Sequence, residues 1–167
     1  MRVLGIDTGF AIAGWSIIEK NKAKLNGLEL IDYGAILTDA GIPIEQRLET
    51  LYNSLDKIIK EYKPDCVAIE SLFFFKNQKT VMNVSQARGV IILTCKLNKL
   101  DIFDYTPLQV KTTVTGYGRA EKKQIQKMVK LILGLKEIPK PDDAADAIAI
   151  AICHINNSKL LRLIKKS

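Results

Sequence analysis

The sequence predicts an α/β fold, a mixed five-stranded sheet built from an antiparallel meander plus parallel strands and flanked by α-helices. Three observations carry that prediction. Up to Leu37 the apolar residues come in strand-length runs divided by short polar turns; from Pro43 to Tyr62 they recur at three and four residues; beyond Asp65 short β-rich runs alternate with stretches of helical period.

Residues 1–7 form an apolar strand that ends on an acid. Thr8-Gly9 turns the chain into a second strand at 11–18, and a third follows at 27–37 after the polar turn at 20–24. Ile44, Leu48, Leu51, Leu55, Ile58 and Tyr62 share one helix face, and Lys63-Pro64 ends that helix. Residues 65–70 read as a buried strand, parallel and adjacent to the first, which sets its end beside Asp7. A second helix at 77–99 leads to a strand at 102–105, and Pro107 opens a short helix. The stretch 113–119 carries Gly116 and Gly118; helical period returns at 120–133, and residues 138–141 link to an almost wholly apolar helix running from Asp143 towards His154. A strand meander, then alternating helices and strands, then a closing helix is the pattern of the ribonuclease H-like fold.

At 167 residues and 47% hydrophobic content the chain suits one domain, residues 1–167, with an ordinary buried core. Its longest apolar runs, 90–95 and 147–153, fall short of the roughly 20 residues that cross a bilayer, so no membrane role and a cytoplasmic location are expected. Cys66, Cys95 and Cys153 are odd in number, widely spaced and set in apolar stretches, which marks them as reduced core residues rather than zinc ligands or a disulfide framework. The net charge of +7 becomes more basic still once the acids considered next are set aside. A basic body around an acidic centre suits a polyanionic partner, although solubility alone would also favour lysine.

Asp7, Glu70, Asp143 and Asp146 all stand where the hydrophobic pattern buries the backbone. Carboxylates in such places need partners, and a pair of divalent cations is the natural one. Two-metal phosphodiester hydrolysis requires hard oxygen ligands converging from several elements, here two adjacent parallel strands and one helix. Asp143 and Asp146, at i and i+3, share a helix face near the positive end of the macrodipole; Asp142, at i and i+4 with Asp146, competes on spacing. Helix capping at Asp143 and Asp146, an Asx turn at Asp7 and a solvated strand end at Glu70 would each serve alone, but not for four acids together. His154, the single histidine, stands eight residues beyond Asp146, about 12 Å along the helix, and reads as structural.

Gly5-Ile6-Asp7-Thr8-Gly9, Ala68-Ile69-Glu70, Gln86-Ala87-Arg88-Gly89, Gln109-Val110-Lys111, Ala120-Glu121-Lys122 and Asp143-Ala144-Ala145-Asp146-Ala147 occur in the order and at the spacing of the RuvC family of bacterial Holliday-junction resolvases. The resemblance covers nearly the whole chain. It implies a homodimeric endonuclease, dependent on two Mg²⁺ per site with Mn²⁺ as a substitute, that makes paired symmetric nicks in a four-way DNA junction during recombination and repair, with a branch-migration helicase complex as a further partner. It also assigns the D-A-A-D pattern to Asp143 and Asp146 rather than Asp142, and marks Lys111 and Lys122 as catalytic groups that hold the scissile phosphate or offset its charge. The family usually has proline after its first acid and a small residue two further on; this chain has Thr8 and Phe10 there.

Three adjacent aromatics, Phe73, Phe74 and Phe75, follow Glu70 and cannot all face one core; an exposed one would stack on an unpaired base, a contact worth roughly 1–3 kcal/mol. The resemblance favours Phe73. Phe74, Lys76, Asn77, Arg88, Arg119 and Lys123 complete the expected DNA-binding set with Lys111 and Lys122, and free N–H groups at the start of the helix after Arg119 would suit a phosphate. Ser85 and Gly89 form a small-residue strip beside Ile92 and Leu93, a candidate homodimer surface. The competing functions are a ribonuclease H-like nuclease with another nucleic-acid substrate, an actin-like or sugar-kinase ATPase fragment suggested by the first glycine loop, and a junction-binding protein without catalysis.

Overall fold

The computed structural model describes residues 1–24, 26–71 and 78–164, and the side chains of these except 78–80 and 159–164. The strands are β1 (Arg2–Asp7), β2 (Ile12–Lys20), β3 (Leu28–Leu37), β4 (Cys66–Glu70) and β5 (Asp101–Tyr105). The helices are α1 (Ile44–Tyr62), α2 (Gln78–Leu97), α3 (Pro107–Thr115), α4 (Lys122–Leu133) and α5 (Asp142–Ile164). One sheet runs in the order β3-β2-β1-β4-β5. The meander β1-β2-β3 is antiparallel, while β4 lies parallel to both β1 and β5. The expected mixed ribonuclease H-like sheet is therefore what the chain forms, with β4 beside β1.

The central strands are apolar on both faces because each face is covered by helices. Leu4, Ile6, Val67 and Ile69 point to α1 and α2, where Leu51, Leu55 and Ile91 close one core. Val3, Cys66 and Ala68 point the other way, to the core built with α3, α4 and α5. The three cysteines are buried thiols. On this second face α5 comes down onto bare backbone: a Cβ at Gly5 would lie 2.2 Å from the Ala147 carbonyl oxygen, and one at Gly14 2.0 Å from the Asp143 carbonyl oxygen. Only glycine admits a helix this close to β1 and β2.

His154 anchors the middle of the same helix. Its ring is 2% exposed, with Nε2 3.3 Å from Cys66 Sγ on β4, Nδ1 2.9 Å from the Tyr105 hydroxyl on β5, and the Phe103 ring 4.5 Å away between centroids. Strand and helix bounds shift by a residue or two from expectation, and two helices run further than the sequence pattern traced them. α3 continues through Thr113–Thr115 because Thr115 Oγ1 donates back to the Lys111 carbonyl at 2.8 Å, and stops at Gly116, whose φ of 75° is left-handed. α5 continues past His154 because Asn157 and Ser158 bond to the Cys153 and Ile155 carbonyls, at 2.9 and 2.8 Å, rather than breaking the helix.

Candidate active site

Strand register delivers the first two acids to one end of the sheet. Asp7 ends β1 opposite Gly14, and Ile6 pairs with Ile69, so Glu70 follows directly beside it at the end of β4. Because Gly14 has no side chain, the first turn of α5 seats over that same pair and carries Asp143 and Asp146 with it. Glu70 is steadied from behind: Arg88 Nη1 donates to the Glu70 carbonyl at 2.9 Å and its other nitrogen pairs with Asp104, while the Ser71 N–H donates to the Tyr105 carbonyl at 2.8 Å. Arg88, expected among the DNA contacts, thus spends its guanidinium on the strand end that presents Glu70, and its side chain is 17% exposed.

Two lysines face the acids from outside the sheet. Lys111 is carried by α3, whose start is fixed by a Thr106/Gln109 capping box, and Lys122 opens α4. Glu70, Asp146, Lys111 and Lys122 line a cavity of about 200 Å³, floored by Val110, Ile125 and Ile150. Lys122 Nζ stands 2.9 Å from Asp146 Oδ2 and 3.6 Å from Asp142 Oδ2. The start of α4 is less open than expected, because Gln124 Oε1 accepts from the Glu121 N–H at 2.8 Å. Arg119 and Lys123 are exposed nearby; Phe73, Phe74, Phe75, Lys76 and Asn77 lie outside the described residues.

The electrostatics are those of an uncompensated anionic site. Burial, then the charges of Asp146, Glu70 and Asp143, push Asp7 up to about 7, with Lys122 acting the other way. Glu70 is raised by burial and by Asp146 against the pull of Lys111, and Asp146 is raised by burial although Lys122 opposes it. Lys122 would be depressed by its own burial, but the hydrogen bond and charge of Asp146 outweigh this and raise it. Beside Asp7, Thr8 Oγ1 is buried without a hydrogen-bond partner.

This donor set fits divalent cations: hard oxygens, crowded negative charge and an unsatisfied hydroxyl all call for positive charge at the sheet end. Among the described residues no three or more such side chains are gathered tightly enough to ligate an ion as they stand.

The Phe10 departure also has a structural account. Arg47 of α1 lays its guanidinium 3.7 Å from the Phe10 ring centroid while its Nε donates to Thr38 Oγ1 at 3.1 Å, pinning the loop that follows Asp7. Arg47 lies on a periodic helix whose pattern marks only the apolar face, so nothing in the sequence singled it out.

Residues 3–154 match the model of the family described as crossover junction endodeoxyribonuclease RuvC. The chain belongs to the RuvC family. A curated RuvC from Fusobacterium nucleatum is 59% identical over 157 residues, covering 94% of this chain and 81% of that one. The RuvC of Caldicellulosiruptor saccharolyticus is also 59% identical, over 160 residues that cover 95% of this chain and 94% of its own. Among solved structures, Thermus thermophilus RuvC superposes with a TM-score of 0.88 and 29% identity, and the same protein in complex with Holliday junction substrate with 0.89, each covering 96% of both chains. Among the described residues no helix is long and apolar enough to cross a membrane.

Proposed function

We propose that this chain is a Holliday-junction resolvase that binds four-way DNA as a homodimer in the cytoplasm and nicks opposed strands by metal-assisted phosphodiester hydrolysis. The observation that carries the reading is the meeting of Asp7, Glu70, Asp143 and Asp146 with Lys111 and Lys122 at one sheet end, in a chain of the RuvC family. The four carboxylates would hold two Mg²⁺, with Mn²⁺ able to substitute. When bound, such ions supply Lewis acidity that makes water nucleophilic near neutral pH and stabilises the leaving oxygen.

The protein's own groups do the rest. Lys111 and Lys122 hold the scissile phosphate and offset its developing charge, which a preorganised cation does at little reorganisation cost. The apolar floor of Val110, Ile125 and Ile150 limits water at the cavity and keeps the lysine charges effective. In-line displacement leaves 5′-phosphate and 3′-hydroxyl ends. Arg119 and Lys123 extend the basic surface for phosphate contacts, and Phe73, with Phe74, Lys76 and Asn77 after it, is assigned to the junction centre.

The test is cleavage of a labelled synthetic four-way junction beside linear duplex and RNA–DNA hybrid, with Mg²⁺ or EDTA. Paired symmetric nicks in the junction alone, lost in EDTA, are the expected result. Preferential hybrid cleavage would move the assignment to another ribonuclease H-like activity, and metal-independent binding without nicking would reduce it to a binding role.

The homodimer is assigned to α2. Met82, Leu93 and Leu97 are 69%, 57% and 61% exposed, Ser85 is exposed beside them, and a Cβ at Gly89 would meet nothing within 4 Å. Ile92, counted in the same strip from the sequence, packs inward against the core. A two-fold mate on this face would present two equivalent sites to two equivalent strands. Leu93→Glu is expected to give a folded monomer by sedimentation and to lose paired nicking; a dimer that survives the charge would place the interface elsewhere.

A further inference from the structure

We propose that Asp142, outside the acidic set assigned to metal, is the positioning residue that keeps Lys122 at the site; this rests on the reading of Lys122 as a group acting on the scissile phosphate. Lys122 and Gln126 are one turn apart on α4, and both reach the first residue of α5. Gln126 is a buried polar residue, 7% exposed, whose Nε2 donates to Asp142 Oδ1 at 3.0 Å. The other oxygen, Oδ2, lies 3.6 Å from Lys122 Nζ. A buried amide thus fixes one oxygen of the Asp142 carboxylate, and the fixed carboxylate presents its second oxygen to the lysine.

Lys122 has two acidic partners, and they have different fates. Asp146, 2.9 Å away, belongs to the set that would ligate cations, and a bound cation competes with Lys122 for that carboxylate. Asp142 is then the anion left to it. Without Asp142, a lysine side chain that is 49% exposed would be free to swing into solvent, and a catalytic group displaced by an ångström loses much of its effect. Asp142 is itself 63% exposed, so its charge pair contributes little to stability, and its removal should be read in rate rather than in folding. As the first residue of α5 it also favours the helix dipole, a purely structural role from which the experiment must separate it.

The experiment is single-turnover nicking of a four-way junction, enzyme in excess, by Asp142→Ala, Lys122→Ala and the double variant, with junction binding followed by anisotropy in EDTA. Asp142→Ala should slow nicking about fivefold, the effect of losing one exposed ion pair, with junction affinity unchanged and only a small fall in melting temperature from the lost helix-dipole and Gln126 contacts. Lys122→Ala should slow it far more, and adding Asp142→Ala to Lys122→Ala should change nothing further, since two residues acting through one group are not additive. A wild-type rate for Asp142→Ala, an equal loss in both backgrounds, or a loss explained by weaker junction binding would each overturn the proposal. Lys122→Ala nicking at the wild-type rate would overturn the reading of Lys122 as well, and that single variant reports it separately.

Discussion

Asp7→Asn protein, freed of divalent metal, is expected to melt higher than the wild type at pH 7 and yet to nick a four-way junction at least about 10³-fold more slowly, since a metal-ligating carboxylate supports several kcal/mol of transition-state stabilisation. The two effects have one cause. In the folded protein Asp7 titrates at about 7, against an ordinary value of 3.8, because it is buried and faces Asp146, Glu70 and Asp143. The folded state therefore holds a proton that the unfolded state has released. The stability this gives is full below about pH 3.8 and is lost as the pH rises to about 7. Each unit of pH costs at most about 1.4 kcal/mol, and solvent reaching the site reduces that, so roughly 2–3 kcal/mol is at stake by neutrality. Asparagine has no proton to lose and escapes the penalty.

His154 bends the pH profile in the opposite direction. Burial, helped by the charge of Lys20, lowers it from 6.5 to about 4, so the unfolded state binds the extra proton and stability falls as the pH drops from about 6.5 to about 4. Between those values Asp7 and His154 oppose each other in the wild type. Asp7→Asn should make stability rise more steeply from pH 4 to 6.5 than in the metal-free wild type, with the raised Glu70 and Asp146 still opposing His154 in both. Melting curves in EDTA across this range test the assignment, and junction binding by the variant shows that its surface is intact. Mg²⁺ should raise the wild-type melting temperature at pH 7 and leave the variant's nearly unmoved, because an ion that binds only the folded state stabilises it in proportion to its affinity. A variant that melts no higher than wild type at pH 7, or nicks normally, would remove Asp7 from the centre of the site.

Much of this site was legible because strand-length apolar runs and helical period separate cleanly in the chain. Short continuous apolar runs locate β1 and β4, and an acid at the end of each is visible without coordinates once the strands are taken as parallel neighbours. Asp146 stood out for a different reason: a charge inside a helix apolar all round has no solvated alternative. What the pattern could not supply was direction. Arg88 occupies a periodic position on α2 and carries a charge suited to phosphate, but only the meeting of α2 with β4 and β5 shows that it turns to the Glu70 carbonyl and Asp104. Asp142 and Asp143 are equivalent by spacing; the resemblance alone favours Asp143, and the physical reason comes only with α4 in place, where Gln126 takes Asp142. Helix ends were missed where polar residues that usually break a helix bond back into it, at Thr115, Asn157 and Ser158.

The glycines of β1 and β2 carry the second large effect. Gly14→Ala is expected to lower stability by about 3 kcal/mol, at the upper end for overpacking, which for a chain of this size is about 6–12 °C in melting temperature. The new Cβ would lie 2.0 Å from the Asp143 carbonyl oxygen and 2.3 Å from its carbonyl carbon, and these are backbone atoms that no rotamer change can move. The first turn of α5 must lift from the sheet, taking the Asp143 backbone and the Asp146 side chain away from Asp7. A displacement of about 1 Å at reacting groups costs roughly 10²-fold in rate, so nicking should fall by that much even in the fraction that stays folded. Gly41→Ala is the matched control: its Cβ would make an ordinary 3.5 Å contact with Asp39 Oδ1 and should leave melting and nicking unchanged. Gly14→Ala protein that melts within a degree of wild type and nicks at the normal rate would mean that α5 is not seated on this strip. The placement of both helix acids would then need another cause.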